Sequence, residues 1–142
     1  MPQPVPLQPE PQNRPRIYIA GPYSGGDVAV NVRKAMQTWN RLWELGFSPL
    51  APHLTHFLHM NHPRPYPDWL EYDREWLVTV DAVFRMPGES KGADAEVALA
   101  KQHGIPVFTS VRKMREHFAM LPPQARTPGR SGAAPGAAGL AL

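Results

Sequence analysis

The sequence predicts an α/β domain built on a parallel sheet of four to five strands. Three observations lead there. Short runs rich in apolar residues recur at 16–20, 47–51, 82–86 and 105–109, helical periodicity fills the intervals, and small-residue turns follow the first and third runs directly. Alternation of this kind implies right-handed crossovers, which put every strand in the same direction.

Arg16-Ile-Tyr-Ile-Ala20 lies between Pro15 and Gly21 and suits a strand buried on both faces. The turn Gly21-Pro-Tyr-Ser-Gly-Gly26 comes next, then a helix, which is how many nucleotide-binding α/β folds open. This turn matches neither G-x-G-x-x-G nor the Walker A pattern, so dinucleotides and triphosphates are unsupported and no cofactor is expected. A small anion or sugar against Gly21, Ser24, Gly25 and Gly26 is one reading; a plain strand-to-helix turn is the other.

Asp27 can cap the following helix, in which Val32, Ala35, Met36, Trp39, Leu42 and Trp43 recur with helical period until Gly46 stops it. Phe47-Ser-Pro-Leu-Ala51 gives a second strand, placed at an edge because Pro49 cannot donate to a ladder. From Pro52 to Pro67 no regular element is expected. His53, His56, His59 and His62 stand there at every third position. On a helix, steps of three rotate the side chain by about −60°, so the four would fan out instead of meeting on one ion, and no metal is expected. The segment reads as a loop that lids a site or packs between subunits, with His53 best placed to touch ligand.

Pro67 and Asp68 start another helix, on which 100° per residue brings Trp69, Asp73, Trp76 and Val80 into one arc. Asp73 is thus a carboxylate in the middle of an apolar face. Asp81 precedes the strand Ala82–Met86 and is assigned to turn amides. Met86-Pro-Gly-Glu-Ser-Lys-Gly-Ala then reads as strand end, glycine turn and helix opening. Ser90 is the expected N-cap, the first amides of that helix can face an anion, and Gly92 permits close approach. Ala93, Glu96, Val97 and Ala100 form its core stripe, so Glu96 is a second carboxylate turned toward apolar surroundings. Alone it would read as the solvated margin of the stripe; Asp73 changes that. Lys101 to Gly104 close the helix, Ile105–Thr109 is a fourth strand, and residues 110–120 form a last helix.

The remaining composition sets bounds. Residues 1–15 are dominated by Pro and Gln, and residues 121–142 by Pro, Gly, Ala, Ser and Arg, so both are expected to be tails around one domain at 16–120. The chain has no Cys, which excludes disulfide and thiol chemistry. Its net charge of +3 comes partly from Arg14, Arg16, Arg126 and Arg130 in or beside the tails, and no basic stripe crosses the middle, so no nucleic-acid polymer is expected. Without a leader pattern or a long apolar span, the expectation is a soluble cytoplasmic protein away from membranes.

Two carboxylates beside an anion-binding helix end suit cleavage at an anomeric carbon. A retaining mechanism uses a nucleophile and an acid about 5 Å apart. At this point the residues carry a likeness. Ile17-Tyr18-Ile19-Ala20-Gly21, Ser24-Gly25-Gly26, Asp73, Asp81-Ala-Val and Ser90-x-Gly92-x-x-x-Glu96 resemble, in order and spacing over residues 16–108, the nucleoside 2-deoxyribosyltransferase superfamily with its nucleotide N-hydrolase branch. The middle of the chain is also similar to small bacterial and phage relatives.

The resemblance implies a flavodoxin-like, Rossmann-like three-layer sandwich and a homodimer or homotetramer in which a neighbour completes the site. It further implies that Glu96 is the nucleophile, that Asp73 assists the base, and that Tyr18 orients Glu96 and crowds the 2′ side of the sugar. Six residues before the nucleophile the transferases usually carry Asp; this chain has Ser90, as the monophosphate hydrolases do, and a Ser can donate to phosphate where an Asp would repel it. The arginine often found at the position of Ser24 is absent. The expected activity is hydrolysis of the N-glycosidic bond of a (deoxy)nucleoside 5′-monophosphate through a glycosyl-Glu96 intermediate; base exchange between nucleosides, or nucleotide binding without catalysis, are the alternatives.

Overall fold

The structure is a computed structural model in which residues 1–121 are described. The expected tail at 121–142 lies outside the described residues apart from Leu121, and residues 1–13 carry neither helix nor strand and are exposed. In chain order the elements are β1 (Arg16–Ala20), α1 (Val28–Glu44), β2 (Ser48–Leu50), a 3-10 turn (Pro52–Leu54), α2 (Thr55–Asn61), α3 (Tyr66–Leu77), β3 (Ala82–Arg85), α4 (Lys91–Gln102), β4 (Val107–Phe108) and α5 (Val111–Met120).

The four strands are all parallel in the order β2-β1-β3-β4, and helices cover both faces, which makes this a flavodoxin-like, Rossmann-like three-layer α/β fold. Alternation along β1 divides the core. Ile17 and Ile19 join Ala35 and Leu42 of α1 and Met114 and Phe118 of α5 on one face; Tyr18 and Ala20 join Leu77 of α3 and Ala93 and Ala100 of α4 on the other. Each fully buried aliphatic side chain contributes about 1.5–3 kcal/mol by leaving water. Strand order reverses between β1 and β3, and in open parallel sheets the crevice beyond the carboxyl ends at such a point is where ligands bind.

Local chemistry explains most boundaries. Asp27 caps α1 by accepting from the amides of Ala29 at 2.9 Å and Val30 at 3.2 Å, and Gly46, at φ +95°, ends the helix in a conformation that suits glycine. β2 is an edge strand, as Pro49 requires, but it is shorter than 47–51. β4 shrinks to two residues against an expected five, because Pro106 brings no N–H and joins the sheet only through its carbonyl, which accepts from Val83 at 2.9 Å.

Other expectations are corrected. The stretch 52–67 is not irregular: the 3-10 turn and α2 occupy 52–61. On α3 the helix stops at Leu77, which is buried, while Trp76 is half exposed and Val80 lies beyond the helix; the inward arc is Trp69, Leu70, Asp73 and Leu77. Trp43 is also half exposed, stacked on Trp39 with Arg14 over its ring. Asp81 accepts from the amide of Arg16, 65 residues away, at 2.8 Å, so it ties β1 to β3. No helix among the described residues is long and apolar enough to cross a membrane.

Candidate active site

The loops after β1 and β3 press together at the switch point. A Cβ on Gly21 would stand 3.0 Å from the Met86 side chain, and one on Gly88, at φ +115°, would stand 2.8 Å from Pro22, so only glycine lets the two loops close. Asn31 on α1 holds the first loop in shape, its side-chain amide donating to the carbonyls of Tyr23 at 2.8 Å and Gly25 at 2.7 Å. Arg85 does the same for the second: from the end of β3 it donates to Met86 O and to Gly88 O at 2.9 Å, and pairs with Asp94 in the first turn of α4 at 3.0 Å.

At the start of α4 the Ser90 hydroxyl accepts from the Ala93 amide at 3.1 Å. The amides of Lys91 and Gly92 are first-turn donors that no helical carbonyl can reach. Gly92 has a second reason to lack a side chain, because a Cβ there would come within 3.0 Å of the Tyr66 hydroxyl, where α3 closes on α4.

These loops, the 3-10 turn, α2, α3 and α4 enclose a cleft of about 950 Å³. Asp73 and Glu96 both line it. Burial pushes each carboxyl up to about 7. Their surroundings differ in kind. For Asp73 desolvation is the cause, and nothing opposes it. For Glu96 desolvation is again the largest influence and the Asp73 charge adds to it, but the Tyr18 hydroxyl and the Arg85 guanidinium pull the other way. Of the two, Glu96 is therefore the one whose charged form the protein supports.

Tyr18 lies fully buried under the cleft floor, its phenol pushed far above the ordinary range by burial and then by the charges of Glu96 and Asp73. Its hydroxyl and Glu96 Oε2 are both buried without a hydrogen-bond partner, although each feels the other electrostatically. The two groups adjoin, each shifting the other, without a hydrogen bond between them in this geometry.

The four histidines separate. His53 is buried on the 3-10 turn, and its Nε2 donates to the Pro22 carbonyl at 3.0 Å, which leaves Nδ1 as a bare, buried acceptor without a partner. Burial holds its pKa below the usual imidazole value. His56 is bonded to the Tyr23 hydroxyl at 2.6 Å, His59 to the Trp69 indole at 2.9 Å, and His62 is exposed.

Of the residues singled out from sequence, Gly21, Ser24, Gly25, Gly26, His53, Asp73, Ser90, Gly92 and Glu96 all line the one cleft, and Tyr18 lies beneath it. Sequence reasoning did not find Arg64, Tyr66 and Lys91, which also line it, nor Asn31 and Arg85, which hold its loops. Arg64 and Lys91 bring two positive charges to the cleft and Glu89 one negative. Arg85 had a signal in sequence, a lone cation closing an apolar strand; Asn31 had none. A family described as "Domain of unknown function (DUF7768)" matches residues 15–110, a span that holds the whole cleft, and the chain belongs to that family. No curated protein matches the chain.

Proposed function

We propose that this chain is an N-glycosidase that hydrolyses the bond between base and sugar in a (deoxy)nucleoside 5′-monophosphate. One observation carries the reading: two carboxyls, each raised to about 7 by burial, share a cleft, with the Tyr18 hydroxyl and the Arg85 guanidinium acting on Glu96 in favour of its charged form. Near neutral pH two such carboxyls can share one proton, and the Tyr18 hydroxyl and Arg85 guanidinium beside Glu96 fit an ionised nucleophile there with Asp73 as the acid, the division of labour a retaining glycosidase needs. The resemblance to the nucleoside 2-deoxyribosyltransferase superfamily assigns the same two roles to the same two residues.

In this reading Glu96 attacks the anomeric carbon as the electron pair of the glycosidic bond leaves with the base, and Asp73 gives its proton to that base. Asp73, now a carboxylate, takes a proton from water, whose oxygen attacks the same carbon and frees Glu96. Tyr18 steadies the Glu96 carboxylate before attack and after release. The phosphate sits at the first turn of α4, where the Lys91 and Gly92 amides, the Ser90 hydroxyl and the charge of Lys91 favour a dianion.

Incubation with a panel of nucleosides and monophosphates, with and without a second free base, tests this. Release of sugar phosphate and free base is the expected result. Base exchange without net hydrolysis would make the chain a transferase, and binding without turnover would make it a nucleotide-binding module.

A further inference from the structure

We infer that His59 reads the base, and that the cleft therefore prefers nucleobases presenting a carbonyl oxygen over counterparts with an amino group at the same position; this rests on the N-glycosidase reading. His59 Nδ1 receives the Trp69 indole N–H at 2.9 Å and the Arg64 backbone N–H at 3.3 Å, and both of those groups can only donate. Nδ1 therefore carries no proton, and the hydrogen of the neutral ring is on Nε2. Nε2 has no partner among the described residues, and the ring lines the cleft. His59 thus carries an unpartnered N–H on a ring that forms part of the cleft wall.

Its place in the cleft assigns it to the base and not to the phosphate. The acid that protonates the leaving base is Asp73. Trp69 lies one helical turn before Asp73 on the same face of α3, and it is the Trp69 indole that holds His59, the two rings meeting edge-on at 6.0 Å. Trp69 adds flat, partly apolar surface of the kind on which a planar base packs. The groups suited to phosphate, the Lys91 and Gly92 amides and the Ser90 hydroxyl, belong to α4 and its N-cap, whereas Trp69 and Asp73 belong to α3. A donor beside an aromatic wall selects an acceptor: an oxo group satisfies His59 Nε2–H, whereas an amino group sets donor against donor and leaves both unpaired.

The test compares kcat/KM for inosine and adenosine 5′-monophosphates, and for the uridine and cytidine pair, in ribo and deoxy series. Wild type, His59→Asn and His59→Gln are each assayed. Asn keeps an acceptor near Nδ1 for Trp69 but does not reach as Nε2 does, whereas Gln can place a donor there. The wild type should favour the oxo member of each pair about tenfold or more. His59→Asn should bring the ratio within about twofold at unchanged thermal stability, and His59→Gln should keep most of the preference. Turnover without base preference, or an equal loss on both members in His59→Asn, overturns the role of His59 and leaves the N-glycosidase standing. Absence of both turnover and equilibrium binding for every nucleotide overturns both.

Discussion

The two faces of one sheet follow opposite rules. Where Ile17 and Ile19 point, toward α1 and α5, the buried side chains are aliphatic or aromatic hydrocarbon with few polar atoms to satisfy. Where Tyr18 points, toward α3 and α4, the same strand buries a hydroxyl without a partner, and the cleft above it holds two carboxyls kept largely from water. An unsatisfied buried polar group costs about 1–3 kcal/mol, so the second face is destabilised by its own contents and the first must compensate. Stability and chemistry are thus divided between opposite sides of a four-stranded sheet.

The widest separation comes from one substitution on each side. Glu96→Gln should lower turnover on the best nucleotide substrate on the order of 10³-fold or more while the protein stays folded. Leu42→Ala, which empties a fully buried site on the α1 face, should cost about 3 kcal/mol in denaturant unfolding and leave KM within about twofold. If Glu96→Gln unfolds the chain, or Leu42→Ala weakens substrate binding as strongly as it weakens the fold, the division fails.

Tyr18→Phe sharpens the comparison from within β1. It removes only an oxygen that lacks a partner, so stability should hold or rise by up to about 1 kcal/mol. Turnover should nevertheless fall about 10–100-fold, because Glu96 loses a group that favours its charged form, and the acid limb of the pH–rate profile should move to higher pH. A variant less stable than wild type and equally active would make Tyr18 a packing residue.

The same contrast governs what could be read from sequence. Strand β1, the α1 cap at Asp27 and the stop at Gly46 follow from neighbours within a few positions, so they are legible. Asp73 and Glu96 stood out because a carboxylate on an apolar stripe breaks a local pattern. The α2 segment was not legible: Phe57, Leu58 and Met60 are exposed on it, so no buried stripe marks the helix. Tyr66 and Lys91 come together in the cleft because α3 packs against α4, Arg64 lines it from the loop beside His59, and the Asp81–Arg16 bond joins residues 65 apart. Such contacts leave no trace in periodicity.

The pH dependence of stability gives the smallest effect and the most direct reading of the polar face. An ordinary carboxyl titrates near about 4, whereas those of Asp73 and Glu96 are raised to about 7. Between these values the folded chain holds more protons than the unfolded chain at both sites, so their contribution to stability is present in full below about 4, declines as pH rises, and is lost above about 7. His53, whose pKa is lowered, acts in the opposite sense, since the unfolded imidazole binds a proton that the buried one refuses. Glu96→Gln removes one of the two carboxylates and should flatten the decline, leaving the variant more stable than wild type at pH 8 by on the order of 2 kcal/mol and nearly equal to it at pH 4. Denaturant midpoints measured from pH 4 to 8 read this directly, with Leu42→Ala as the control, shifted by a constant amount at every pH because it touches no titrating group. A Glu96→Gln curve parallel to that of Leu42→Ala would mean that the Glu96 carboxyl is solvated like any other and that the polar face stores nothing there for catalysis.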